Sequence, residues 1–131
     1  MPKDEGPTYV APAGTGAAKI DGFEYKYVAT AERESNIIAG FKKLKVGQSR
    51  EDVRKLLGPP DVADTSFTKG FRDEFRGWYY QYKIRMRSLA STNDVCVEVF
   101  FDTKGKLHWA VPENIPDLRE IGQVRTDPAS K

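Results

Sequence analysis

Cysteine is nearly missing from this sequence. Cys96 stands alone among 131 residues, so no disulfide can close within the chain. Histidine is as scarce, His108 being the only one. One thiol and one imidazole cannot complete a tetrahedral zinc site, and no carboxylates stand beside them at ligand spacing. No metal and no cofactor is therefore expected. A nucleophilic Cys96–His108 pair would require the two to meet across a hairpin, and a thiol inside a strand is by default a small buried apolar group. Long apolar runs are also lacking: none approaches the roughly 20 residues that cross a bilayer. The first residues, Met1-Pro2-Lys3-Asp4-Glu5-Gly6, show no apolar segment of a secretory leader and no small-residue cleavage site. They suit either a cytoplasmic protein or a mature form whose leader has been removed. There is no glycine-rich phosphate loop, no G-x-S-x-G and no pair of carboxylates on one helix face. Asp73 and Glu74 fall in a charged connection. The chain is expected to bind rather than to catalyse.

What is present is balanced overall and uneven locally. The 21 Lys and Arg against 19 Asp and Glu leave a net charge of +2, which gives no strong push toward nucleic acid as a partner. Between positions 40 and 87, twelve basic residues meet six acidic ones, a local excess of +6. Residues 1–29 read as a flexible tether. Positions 2–18 are rich in Pro, Gly, Ala and Thr without a hydrophobic period, and too little apolar surface is available there to offset chain entropy. Phe23, Tyr25 and Tyr27 alternate, so residues 20–28 could dock as an extra strand. Residues 30–112 form the predicted domain, and 113–131 a polar tail.

From Thr30 the period becomes helical. Thr30 caps, Glu32 and Glu34 occupy the first turn, and Lys42, Lys43 and Lys45 the last, each favoured there by the helix dipole. Ile37, Ile38, Phe41 and Leu44 share one face. A second helix starts at Ser49 with Glu51 and Asp52 behind it, buries Val53, Leu56 and Leu57, and is stopped by Gly58-Pro59-Pro60. Gly47 and Gly58-Pro59-Pro60 are read as helix punctuation. Strands follow at 61–67, 78–87 and 95–101, with the last from Leu107 to Val111 and ended by Pro112. Residues 68–77 are read as a charged connection. Asp102-Thr103-Lys104-Gly105 is a turn with glycine at a positive-φ position. Helices followed by strands predict an α+β fold, with two N-terminal helices packed on a three- to four-stranded antiparallel sheet. Trp78, Tyr80, Tyr82, Ile84 and Met86 should face Ile37, Phe41, Val53 and Leu57. Tyr79, Gln81, Lys83, Arg85 and Arg87 should face outward.

Several of these strings resemble one family. Leu44-Lys45-Val46-Gly47-Gln48-Ser49, then Val53 and Leu57-Gly58-Pro59-Pro60, is similar to the helix-turn-helix signature of the SmpA/OmlA (BamE-like) domain. Gly77-Trp78-Tyr79-Tyr80 resembles its first long strand. Val97 to Asp102 with Gly105-Lys106-Leu107 resembles its hairpin. The likeness runs from about Leu44 to Val111. It implies an α-α-β-β-β order, also seen in β-lactamase-inhibitor-like folds. It further implies a non-catalytic lipoprotein domain on the periplasmic side of the bacterial outer membrane, whose lipid anchor is no longer on this chain. Its partners would be proteins of the outer-membrane assembly machinery, and possible anionic-lipid contact follows. A secreted or periplasmic inhibitor or immunity-type protein on the same fold is the alternative. A cytoplasmic nucleic-acid binder is the third reading. Oligomeric state is left open.

Two candidate surfaces emerge. Tyr79, Lys83, Arg85 and Arg87 put three cations beside an aromatic ring on one strand face. Like charges at that spacing repel unless acids or a ligand compensate. Arginine offers two-pronged geometry to carboxylate or phosphate, so this is the candidate partner-binding face, with Glu98 the nearest acid. The second is Lys42, Lys43, Lys45 and Arg50, joined by Arg54 and Lys55, around the inter-helix turn. Ordinary solvation is the default for such a cluster, and anionic lipid its functional alternative. Trp78, Tyr80, Tyr82 and Trp109 could stack nucleic acid bases, but aromatics in this pattern are read as core.

Overall fold

A computed structural model describes residues 8–9, 18–20, 23–68, 74–87 and 94–122. Thr30 caps the first helix, α1 (Ala31–Phe41), its hydroxyl accepting the Arg33 N–H at 3.1 Å. The second, α2 (Arg50–Leu57), opens on a complete capping box. Ser49 Oγ accepts from Asp52 N–H, and the Asp52 carboxylate accepts from Ser49 N–H. Gly58 then takes φ +89°, which ends the helix and turns the chain toward Pro59-Pro60. α1 stops at Phe41, so Lys42, Lys43 and Lys45 lie in the following turn rather than in its last helical turn.

The helices cover one face of an antiparallel sheet. Four long strands carry it: β5 (Val62–Thr68), β6 (Glu74–Met86), β7 (Val95–Phe101) and β8 (Leu107–Glu113). Short strands extend its edges: β1 (Thr8–Tyr9) on β5, β9 (Ile121–Gly122) on β8, and β4 (Tyr27–Val28) beside the end of β6. β2 (Ala18–Ile20) and β3 (Phe23–Tyr25) form a separate hairpin. The α+β class and the two-helix layer agree with the sequence reading, but the sheet has seven strands instead of three or four.

Of the additional strands, β4 comes from the stretch 20–28 whose alternation suggested an extra strand, while β1 and β9 come from segments that local pattern marks as polar. Ala29 N–H donates to Ile84 O at 2.7 Å, Lys26 N–H to Met86 O at 2.8 Å, and Tyr25 and Ala29 are buried. The stretch assigned to a tether thus supplies sheet partners. Past β8, Ile115 and Leu118 join the core and β9 pairs with Trp109 and Ala110, so the stretch assigned to a tail is in part domain. The remainder of both segments, at 1–7, 10–17, 21–22 and 123–131, lies outside the described residues. The charged connection is shorter than its composition suggests, since β6 already begins at Glu74. Gly77 belongs to β6, where a Cβ would stand 2.0 Å from Phe101 O at φ +126°. Only glycine lets the two strands approach there. Pro112 continues β8 rather than ending it. β9 pairs only with Trp109 and Ala110, leaving an edge position where a missing N–H is tolerated.

The core is the predicted one except for Met86, which follows the register shift at Ile84 and leaves the buried stripe. Ile37, Phe41, Val53 and Leu57 pack with Trp78, Tyr80, Tyr82 and Ile84, and with Val97, Val99 and Phe101 from β7. Met86 is half-buried at the margin. Gly40 lets the helices touch, since a methyl group at this position would fall 2.2 Å from Leu56 O.

Between β4 and β5 the edge of β6 has a gap. β5 reaches Gln81 and β4 begins at Arg85. The Lys83 N–H in that gap donates to the carboxylate of Asp61 at 2.6 Å. Asp61 is fully buried and also receives the Arg33 guanidinium of α1 at 3.0 Å, while Arg33 donates to Pro59 O at 2.9 Å. Tyr82 adds a bond from its hydroxyl to Gly58 O. One carboxylate thus joins α1, the exit of α2 and the central strand. Removing one member of a buried ion pair leaves the other charge uncompensated. Asp61→Ala is expected to cost about 3 kcal/mol, read as a lower urea midpoint at unchanged slope.

Candidate functional site

The four residues predicted to share the outer face of β6 do not all do so. Lys83 pairs with Cys96 and Arg85 with Val95, so Ile84 is an extra residue, a bulge on β6. Beyond it the alternation restarts in opposite phase. Val95 belongs to the helix-facing core, and Arg85 follows it, placing its guanidinium 3.8 Å from Glu34 of α1. Tyr79 and Lys83 stay on the outer face. Arg87 lies past the end of the strand, where its backbone N–H donates to Asp94 Oδ1 at 2.9 Å. The acid that meets Arg85 is Glu34, not Glu98, which sits between Gln81 and Val111. The period-2 rule holds only while register is unbroken, and a bulge leaves no mark in one sequence.

The second predicted cluster also divides. Lys42, Lys43 and Lys45 are exposed in the inter-helix turn, which is bound to the start of β8 through Gly47 N–H to Leu107 O and Leu107 N–H to Gln48 O, both 2.8 Å. Arg50 instead lies over the Trp78 ring, 3.8 Å from its centroid, and Arg54 lies 5.1 Å from that of Tyr80. Both line a groove of about 430 Å³ between α2 and the β7–β8 turn, whose other cations are Lys104 and Lys106. Sequence reasoning missed the two hairpin lysines. Their approach depends on the Ser49–Lys106 bridge, a contact between distant segments. The turn itself is as predicted: Asp102 accepts from Lys104 and Lys106 N–H, and Gly105 has φ +78°.

Facing away from the helices, Tyr79, Phe100 and Trp109 form an aromatic row across β6, β7 and β8. Trp109, expected in the core, belongs to this row. Its indole N–H donates to Glu120. Burial first, then the charge of Glu113, raises the carboxyl of Glu98 above its ordinary range. Burial first, with Glu98 and Asp64 adding, also raises the phenol of Tyr79. Cys96 is buried, and its thiol is pushed up to about 12 by burial and then by Glu113, Glu98 and Asp94. His108 precedes Cys96's partner Glu113 by roughly 17 Å of strand, so the two do not form a nucleophilic pair. Among the described residues no group of three or more His, Cys, Asp or Glu is placed to hold a metal, and no helix is long and apolar enough to cross a membrane.

The outer membrane protein assembly factor BamE domain matches residues 39–110, more than half of the chain. The chain belongs to the BamE domain family. The match runs from the end of α1 to the middle of β8, so the BamE unit includes the inter-helix turn, Asp61 and the three central strands, while Arg33 precedes it. No curated protein and no solved structure is significantly similar to the chain. Membership in the BamE family carries a general accessory role in outer-membrane protein assembly, at the periplasmic side of that membrane, in a family of non-catalytic proteins.

Two outcomes follow from the buried outer-face groups. A carboxyl raised in the folded state binds its proton more tightly there than in the unfolded chain. Glu98 therefore lowers stability above its unfolded pKa, and the penalty fades as pH falls through its folded value. Glu98→Gln is expected to raise Tm at pH 7, and the gain should vanish below the ordinary glutamate value of 4.5. Cys96 should resist iodoacetamide at pH 8 in the folded chain and react fully in denaturant, as mass spectrometry would show.

Proposed function

We propose that this chain is a non-catalytic accessory in the assembly of outer-membrane β-barrel proteins, acting by holding a protein of the assembly machinery. The observation that carries this reading is the family match, which spans the inter-helix turn and the central strands as one folded unit. The proposed contact is the margin of β6, with Tyr79, Lys83, Arg85 and Arg87 meeting acidic groups of the partner. Arg85 contributes least, because Glu34 already braces it and only 26% of its side chain is exposed. Lys42, Lys43, Lys45 and Arg50 are the proposed contacts to anionic lipid, each cation near a charged leaflet being worth about 1 kcal/mol.

Arg85→Glu would place two carboxylates together and disturb α1, so Lys83 and Arg87 are the better probes. The tagged full-length chain should co-purify proteins of the assembly machinery from a solubilised bacterial envelope at low salt. The double variant Lys83→Glu/Arg87→Glu should recover several-fold less while keeping its Tm. Equal recovery by wild type and variant would remove this margin from the interface. Capture of a soluble hydrolase alone would favour the inhibitor reading.

A further inference from the structure

The outer face of the sheet differs from its cationic margin and points to a partner of the opposite charge. Tyr79 and Phe100 stack with centroids 5.8 Å apart, and Phe100 and Trp109 with centroids 4.7 Å apart, both pairs at 22°. The row crosses three adjacent strands, and each ring is only partly buried. Carboxylates border it at both ends and along one flank. Glu120 holds the Trp109 indole, Asp64 stands opposite Tyr79 across β5, and Glu98 and Glu113 occupy the middle and far end. Lys83, opposite Cys96, adds a positive charge toward the far end of this face. The influences on Glu98 are burial and the charge of Glu113, both of which penalise its ionised form. A docked cation would reverse that penalty. Anionic lipid and nucleic acid would worsen it.

We propose that this aromatic row and its carboxylates form a docking surface for a protein segment rich in arginine and lysine. The aliphatic stems of such side chains would lie along Tyr79, Phe100 and Trp109, and their charged heads would reach Glu98, Glu113 and Asp64. The four carboxylates supply the charge complementarity. The surface borders the cationic contact proposed above and shares Tyr79 and Lys83 with it, but it does not rest on the assembly role.

The test uses the full-length ¹⁵N-labelled chain titrated with an alternating Arg-Gly octapeptide, with the Glu-Gly octapeptide as control. Amide shifts should cluster at Tyr79, Gln81, Glu98, Phe100, Trp109 and Val111, and the Glu-Gly peptide should cause none. Glu98→Gln/Glu113→Gln should weaken Arg-Gly binding about tenfold. Trp109→Ala, which keeps every carboxylate, should weaken it several-fold. Shifts centred on the helices, or unchanged affinity in either variant, would overturn the proposal. Since the Lys83/Arg87 variant should still bind the Arg-Gly peptide, failure here and failure of the assembly role are separate results.

Discussion

The Asp61 carboxylate is the constraint around which the domain is arranged. It is fully buried, and one of its oxygens accepts from Arg33 of α1 and from the Lys83 N–H that neither β4 nor β5 can reach. A buried charge persists only when paired and hydrogen-bonded. The position of α1 over the sheet, the direction in which the chain leaves α2 and the gap in the β6 edge therefore depend on one another. Gly58 and Pro60 direct the chain so that the carboxylate arrives there, and Tyr82 secures the same turn from below. The match to the BamE family covers Asp61, α2 and Lys83 and begins after Arg33.

A second constraint divides the molecule into surfaces of opposite character. The bulge at Ile84 rotates the end of β6 by one step, turning Arg85 toward Glu34 and away from the outer face. With that cation removed, the outer face is left aromatic and acidic, bearing Glu98, Glu113 and the row ending at Trp109. The cations gather at the margin of β6 and in the groove between α2 and the β7–β8 turn. A small net charge thus conceals a strongly patterned surface. Such patterning governs partner choice and association rate more than stability.

The helices, their caps, the inner stripe of β6 and the Asp102–Gly105 turn were legible in the sequence. Each rests on short-range physics: a hydroxyl three residues from an N–H, a carboxylate beside a turn, alternation over five residues. The bulge, the Asp61–Arg33 pair and the sharing of one groove by Arg50 and Lys104 were not legible. Each joins residues whose separation along the chain says nothing about their separation in space.

The sequence by itself determined the fold class, the two helices, the buried face of the central strand and the family signature from Leu44 to Val111, because periodicity and capping act locally. Only the tertiary structure decided which cations share a surface, that the sheet's outer side is acidic, and that residues flanking the predicted domain complete its edges. Strand register and edge pairing are set by hydrogen bonds between distant segments, and one register shift on β6 reassigns every side chain beyond it.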